Sequence, residues 1–203
     1  MSKTRTTTRT AGVAIRAVLV MTALLGLAYP LAMTGVGQLA FPWQANGSVV
    51  AHDGEPVGSA LLGQTFADAD GNALPQYFQP RPSASDYEGA SSGGSNLGPS
   101  HPDLVAAIDA GRQRIAAREG VSPDEVPADA VTASSSGLDP HISPQYALLQ
   151  VSRVAAERGM SEDDVRAIVT ARIETPDLGF IGAERVNVLD LNVALDTAQE
   201  EIR

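Results

Sequence analysis

The chain has 203 residues, no cysteine, nine aromatic side chains and a formal net charge of −10. Its 43 % hydrophobic content is enough to bury a core, which argues against wholesale disorder, and its length suits one modest domain. A nucleic-acid partner would require a basic face, so the acidic balance argues against a ligand made of phosphate backbone.

Charges are unevenly distributed along the chain. Four charged side chains, all basic, precede residue 52: Lys3, Arg5, Arg9 and Arg16. The remaining ten cations face all 24 acids, so the segment after residue 52 carries −14. We interpret residues 1–12 as a basic cytoplasmic stub that precedes an acidic body.

Residues 17–37 form a run of 21 uncharged, mostly apolar residues. As a helix rising about 1.5 Å per residue, this run would cross roughly 30 Å, the thickness of the hydrocarbon core of a bilayer. We therefore predict a membrane-spanning helix over residues 13–40 and a single-pass protein of the cell (inner) membrane. Because the four cations precede the span, we expect a cytoplasmic N-terminus and an extracytoplasmic domain over residues 41–203.

A cleaved signal peptide is the alternative interpretation of this segment. Residues 26–28 offer the small side chains of a cleavage site, and cleavage there would release a soluble exported binding protein. Apolar residues continue through Leu39, further than a signal peptide usually requires, which favours an uncleaved anchor. Pro30 lies inside the span, where we expect a kink that a neighbouring transmembrane subunit covers.

Two missing residue types narrow the possible chemistry of the exported part. Without cysteine, the domain has no disulfide, so its stability must come from packing. Lys3 is the only lysine in the chain, so residues 41–203 contain neither a Walker lysine nor a Schiff-base lysine. We expect no active site in this chain.

The first part of the exported domain is predicted to contain little regular structure. Residues 41–58 are rich in turn residues, and residues 59–66 have enough apolar content for a strand. Residues 67–99 are dominated by loop residues but contain aromatic side chains. A connection of this length is usually functional or disordered, and the aromatics favour an ordered loop that faces a partner.

Helices dominate the second part. A helix is predicted from a cap at Ser100 to Gly120, another from Ser143 to Gly159, and a third from Ser161 to before Pro176. A short strand over residues 186–189 and a terminal helix over residues 191–202 follow. With two or three short strands among four helices, the predicted fold class of this small domain is α+β.

One polar segment contains residue types that could form a catalytic site. Ser135, Ser136, Asp139 and His141 place hydroxyls, a carboxylate and an imidazole close together, and a membrane-anchored hydrolase is the enzyme alternative. The segment has no nucleophile-elbow motif, so we prefer a polar turn that leads into a helix cap. Asp139 and His141 lack further ligands at metal-site spacing, and we predict no metal site.

Several longer motifs carry a resemblance to a known family. They occur at residues 29–48 (YPLAMTGVGQLAFPWQANGS), 58–66, 77–83 (YFQPRPS), 91–100 (SSGGSNLGPS), 131–144 (VTASSSGLDPHISP) and 185–196 (RVNVLDLNVALD). On these motifs, the chain resembles the C subunit of the bacterial Kdp-type potassium-transporting P-type ATPase over most of its length.

The resemblance implies an accessory subunit of a high-affinity, ATP-driven potassium uptake complex, assisting assembly and coupling. The implied partners are a channel-like potassium-binding subunit and an ATP-hydrolysing pump subunit, in a complex that uses ATP, Mg²⁺ and K⁺. The family is described as a catalytic chaperone that raises the ATP affinity of the pump subunit. For an exported domain without nucleotide motifs, such an effect would pass through subunit contacts as a coupling free energy.

Polar and aromatic residues within the turn-like motifs are the candidates for contacts with partner subunits. With the proline of the membrane span, they are Pro30, Tyr77, Arg81, Asn96, Asp139 and His141. The same residue types also stabilise turns, so a structural role in the domain is an open alternative for each.

Overall fold

The computed structural model describes residues 2–202, and the side chains of residues 7–200. The side chains of Lys3 and Arg5, two basic residues of the predicted stub, lie outside the described side chains. The chain divides into two compact units, Met1–Ser48 and Val49–Arg203. The proposed boundaries of stub, membrane span and exported domain remain predictions.

The first unit is dominated by one long helix. Helix α1 (Ser2–Met21) continues through a π-helical segment (Thr22–Ala28) into α2 (Tyr29–Ala40), and a short helix α3 (Pro42–Ala45) follows. Among the described residues, Thr7–Ala40 is the one stretch long and apolar enough to cross a membrane, with a mean hydropathy of 2.1 over an 18-residue window. Its large apolar side chains are exposed rather than packed into the unit, as expected of a helix that faces lipid.

Pro30 changes the hydrogen bonding of this helix without interrupting it. The Tyr29 amide donates to the carbonyl of Leu24, five residues back, at the end of the π-helical segment. Proline has no amide hydrogen to donate, and a wider turn before it is one way for a helix to continue. The irregularity therefore lies in the turns preceding Pro30, at residues 22–28.

The second unit begins with a β-hairpin that the sequence analysis did not predict. Strand β1 (Val49–His52) pairs antiparallel with β2 (Glu55–Ser59), and the connecting Asp53 and Gly54 both have positive φ angles. An Asp-Gly pair with this geometry forms the tight turn that two-residue hairpins prefer. The strand predicted over residues 59–66 is wrong, because the pairing ends at Ser59 where that run begins.

A second sheet, antiparallel and three-stranded, is formed by segments that follow residue 140. Its order is β3 (His141–Ile142), β5 (Arg185–Asn187) and β4 (Ile173–Glu174), with β5 in the middle. Strand β5 overlaps the predicted strand at 186–189 but ends earlier, because the side-chain oxygen of Asn187 accepts hydrogen bonds from the amides of Leu189 and Asp190. This side chain caps the helix that follows.

The four helices predicted in the second unit are present, with two differences. The helices of this unit are α4 (Pro102–Glu119), α5 (Ala128–Val131), α6 (Pro144–Leu149), α7 (Val151–Arg158), α8 (Glu162–Ala171) and α9 (Val188–Ile202). Helix α5 was not predicted, and the single helix predicted from Ser143 to Gly159 is divided at Gln150 into α6 and α7. Ser143 and Ser161 cap helices as predicted, and Gly120 and Gly159 end theirs in the left-handed conformation. The cap of α4 is His101 rather than the predicted Ser100, because the His101 ring accepts from the Asp103 amide.

The hydrophobic core lies among α4 to α9, the three-stranded sheet and one residue of the long loop. Tyr146, Val154, Val165 and Leu195 are at most 1 % exposed. They are joined by Phe78, which is fully buried although residues 60–101 contain no helix and no strand longer than an isolated bridge in the described structure. The α+β fold class is confirmed.

Two side-chain amides bind the backbone of Phe78 and of the next residue, Gln79. The Asn192 side chain accepts from the Phe78 amide at 2.9 Å and donates to the Phe78 carbonyl at 3.0 Å. The Gln150 side chain does the same for Gln79, at 2.7 and 3.2 Å. Because both amides are buried, these four bonds replace the strand neighbours that the loop backbone lacks.

We predict that Asn192→Leu lowers the free energy of unfolding by about 2 to 6 kcal/mol, because it leaves a buried donor and a buried acceptor of Phe78 unpaired. Chemical denaturation of the full chain in detergent measures this loss. The control is Thr197→Val on the same helix, which removes an exposed hydroxyl bound to the Val193 carbonyl. Equal stability of the two variants would contradict the prediction.

Candidate functional site

Three of the predicted contact residues form one cluster. Arg81 Nη1 donates to Asp139 Oδ2 at 2.9 Å, and its Nε and Nη2 donate to the Thr132 carbonyl. The other carboxylate oxygen of Asp139 accepts from the His141 amide at 3.0 Å and lies 3.3 Å from the His141 ring nitrogen Nδ1. Arg81 thereby ties the long loop to the segment that enters β3.

The Asp139 carboxylate is held in its ionised form. Burial alone would raise its pKa, but the hydrogen bonds from His141 and the charge of Arg81 together lower the pKa below its ordinary value. Because the carboxylate is only partly buried, water screens part of this effect. The cluster is an ion-paired corner between two segments, with both carboxylate oxygens engaged.

The serines beside this cluster build a turn. Ser134 Oγ accepts from the Gly137 amide at 2.8 Å, and Ser136 Oγ accepts from the Leu138 amide at 3.1 Å. In the part of the chain that the structure describes, the His141 ring is hydrogen-bonded to Asp139 and not to a serine. This geometry gives the serines a structural role and gives the hydrolase alternative no support.

Close backbone approaches fix the loops around the cluster. Gly137 has a φ of 70°, and a Cβ there would lie 2.2 Å from Ser85 Oγ. A Cβ at Gly63 would lie 2.4 Å from the ring of Tyr87 and 2.7 Å from the Asp139 carbonyl. Larger side chains at these two glycines would force the segments apart. The glycines therefore place the long loop against the Asp139 segment.

Tyr77 belongs to a different cluster of the same unit. Its hydroxyl donates to Asp196 Oδ2 at 3.3 Å, and the guanidinium of Arg158 lies 4.8 Å from the centre of its ring. Arg158 also pairs with Asp196 at 2.8 Å. Burial, followed by the charge of Asp196, raises the pKa of the Tyr77 hydroxyl, so it remains a donor at neutral pH. Tyr77 thus joins the long loop to α7 and α9.

The two remaining candidates stand apart from both clusters. Asn96 lies in an exposed turn with a φ of 54°, and its side chain donates to the Gly94 carbonyl at 3.1 Å. Pro30 lies in the helix of the first unit. Each polar candidate therefore has a partner inside its own unit, and contact with another subunit remains a prediction for all six.

The sequence analysis missed an exposed apolar turn between β4 and β5, which we call the apolar tip (residues 176–182). Leu178, Phe180 and Ile181 are 83 %, 77 % and 50 % exposed. Paired backbone hydrogen bonds between Asp177 and Ile181 close the turn. The signal in the sequence is three large apolar residues that are interspersed with two glycines after a proline. Their spacing fits neither a strand nor a helix with one face toward the core.

A histidine of the hairpin and two carboxylates form a second group, which joins distant parts of the sequence. His52 Nε2 lies 3.5 Å from a carboxylate oxygen of Glu200 and 3.9 Å from one of Asp53. Both carboxylates are largely exposed, and the His52 ring brings the hairpin next to the Glu200 carboxylate of α9.

Comparison with known proteins gives one consistent result. A family model described as "KdpC: K+-transporting ATPase, c chain" matches residues 11–197. A relative from Kineococcus radiotolerans, named potassium-transporting ATPase KdpC subunit, is 52 % identical over 182 residues, covering 89 % of each chain. Relatives with the same name from Xanthomonas oryzae pv. oryzae (51 %, covering 86 % of this chain and 80 % of theirs) and Caulobacter vibrioides (54 %, covering 86 % of each) are similar.

We predict that Asp139→Asn reduces the loss of stability in acid. Because the pKa of Asp139 is lower in the folded than in the unfolded chain, its carboxylate stabilises the fold above about pH 4. That contribution disappears as the pH falls through the lowered folded value. Unfolding free energies of the full chain between pH 2 and pH 6 should therefore change less in the variant. Asp109→Asn, at an exposed position of α4, should retain the original slope; a parallel Asp139→Asn curve would contradict the account.

Proposed function

The chain belongs to the KdpC family of K⁺-transporting ATPase c chains, and from this we propose how it serves the complex as an accessory subunit. Membership makes it a membrane-associated subunit of a potassium-transporting ATPase. We propose that it assists assembly and coupling between a channel-like potassium-binding subunit and an ATP-hydrolysing pump subunit. The complex as a whole would use ATP, Mg²⁺ and K⁺.

The long helix supports a single membrane crossing. Its apolar side chains are exposed along the whole span, and Arg9 and Arg16 lie toward its N-terminal end. Basic residues on one side of a span favour the cytoplasm, so the N-terminus would be cytoplasmic and Val49–Arg203 extracytoplasmic. The small residues Gly26 and Gly35 would let another transmembrane helix approach closely.

The apolar tip carries the proposal for the exported unit. Large side chains as exposed as Leu178 and Phe180 are unfavourable in water and typical of a surface that a partner covers. The acidic residues Glu174 and Glu184 flank the tip and Asp177 lies within it, and Arg185 neutralises part of their charge by pairing with Glu174 and Asp177. This acidic rim disfavours an anionic lipid surface, so the occupant we propose is an apolar pocket with a basic rim on another subunit of the ATPase.

The chaperone effect attributed to the family would act through such contacts. The extracytoplasmic unit would be separated by the membrane from cytoplasmic nucleotide. We propose that its binding favours one conformation of the partner subunits and thereby changes the ATP affinity of the pump subunit. Such a coupling is reciprocal, so ATP binding to the pump subunit would change the affinity for this chain by the same factor.

We predict that Leu178→Ser with Phe180→Ser reduces the amount of this chain that co-purifies with the other ATPase subunits by at least tenfold. Burial of one large apolar side chain contributes about 1.5 to 3 kcal/mol, and about 1.4 kcal/mol corresponds to a factor of ten. The measurement is quantitative co-purification of the detergent-solubilised complex.

Val105→Ser is the control for this prediction, because Val105 is also exposed but lies on α4, away from the tip in sequence. Thermal unfolding of each variant checks that the domain still folds. Full co-purification of the folded double variant would refute the role proposed for the tip.

A further inference from the structure

A cavity of about 760 Å³ lies between the long loop and helix α4. One wall is formed by residues 65–71 and 79–87, and the other by α4 and the α5 region. The volume falls within the range of small-molecule binding pockets, about 300 to 1,000 Å³. Neither the subunit role nor the contact residues discussed above account for this cavity.

One face of α4 supplies the helical wall. Residues three, four or seven positions apart lie on one face of a helix, and the cavity-lining residues follow that spacing: Leu104, Ala107, Gly111, Arg114 and Arg118. The wall is therefore apolar at its N-terminal end and basic at its C-terminal end. Gly111 lies between them, and a Cβ there would lie 3.3 Å from Val131 Cγ1, so glycine keeps α4 close to α5.

A buried phenol lies at the basic end. Tyr146 is 1 % exposed, and its hydroxyl oxygen accepts a hydrogen bond from Arg118 Nη2 at 3.0 Å. Within the part of the chain that the structure describes, the Tyr146 hydroxyl donates no hydrogen bond of its own. Burial raises the pKa of this phenol despite the neighbouring Arg118 charge, so it keeps its hydrogen at neutral pH. A buried donor without an acceptor is unfavourable, and a ligand oxygen would satisfy it.

The two arginines add positive charge beside this donor. Arg118 is held in place through Nε, which donates to Glu119 at 2.7 Å. Arg114 is exposed, and its guanidinium makes no hydrogen bond or ion pair with the residues that the structure describes. Glu119 compensates Arg118 in part and also binds Arg153, which leaves Arg114 as the uncompensated cation of the wall.

The remaining charged groups of the cavity come from the loop wall. Arg81 is engaged by Asp139 and the Thr132 carbonyl. Asp68 accepts hydrogen bonds from Asn72 and the Asp70 amide within its own turn, and Asp86 is exposed. Acidic residues are therefore present in the loop wall, whereas the α4 wall presents only basic ones.

We propose that this cavity binds a small amphipathic anion, with its carboxylate or phosphate at Tyr146, Arg114 and Arg118 and its apolar chain along Leu104 and Ala107. The phenol and the guanidiniums are donors that suit an oxyanion. The apolar end of the wall excludes water from the chain of such a ligand. The site belongs to this chain alone, so it exists independently of the partner subunits.

Isothermal titration calorimetry of the full chain in non-ionic detergent tests the proposal with four probes: acetate, hexanoate, inorganic phosphate and hexyl phosphate. We expect hexanoate to bind at least tenfold more tightly than acetate, and hexyl phosphate at least tenfold more tightly than inorganic phosphate, because the chain adds buried apolar area. Either head group supports the proposal, and the tighter of the two hexyl ligands identifies the preferred one.

Three variants connect the binding to the named residues. Tyr146→Phe removes only the hydroxyl, and Arg114→Gln removes the uncompensated charge; each should weaken hexyl-ligand binding at least tenfold. Arg166→Gln, on the exposed face of α8, is the control for charge and for partition of the probes into detergent. Thermal unfolding verifies that each variant is folded.

Three results would overturn the proposal: no binding of either hexyl ligand, equal binding of short and long probes, or unchanged binding in both folded cavity variants. Because these measurements use no other subunit, their failure would leave the proposed role in the ATPase unaffected.

Discussion

The reciprocal hydrogen bonds of Asn192 and Gln150 are the interaction on which the second unit, Val49–Arg203, depends. A loop backbone that enters a core brings donors and acceptors that need partners, and each unpaired group costs about 1 to 3 kcal/mol. The two amides satisfy four such groups at Phe78 and Gln79, which lets the Phe78 ring join the core. Without these bonds, burial of Phe78 would be opposed by desolvation of its own backbone.

The position of the loop then determines its other contacts. The side chain of Gln79 donates to the carbonyls of Phe66 and Leu74, which closes the preceding turn. Two residues further on, Arg81 reaches Asp139, and residues 79–87 form part of the loop wall of the cavity beside α4. The ion-paired corner and the cavity are thus consequences of the same anchoring. The apolar tip depends instead on the three-stranded sheet, because it connects β4 to β5.

Features with local signals could be predicted from the sequence. The caps at Ser143 and Ser161 and the stops at Gly120 and Gly159 each depend on a few neighbouring residues, and all were predicted correctly. The hairpin at residues 49–59 was missed although its Asp-Gly turn is also local, because the apolar run after it was taken for the strand. The family was identified from several long motifs together, and the family model and the relatives confirm it.

Long-range features could not be predicted in this way. Asn192 lies 114 residues from Phe78 and Gln150 lies 71 from Gln79, and spacing alone does not indicate such pairs. For the site, Asp139 and His141 are neighbours in sequence, whereas Arg81 joins them only through the folded loop.

Hydrogen exchange of the Phe78 and Gln79 amides in the full chain tests the central claim most directly. If the reciprocal bonds anchor the loop, both amides exchange as slowly as those of the core helices α7 and α9. Exchange as fast as that of an exposed loop amide would show that the loop opens independently of the core, and would contradict the account.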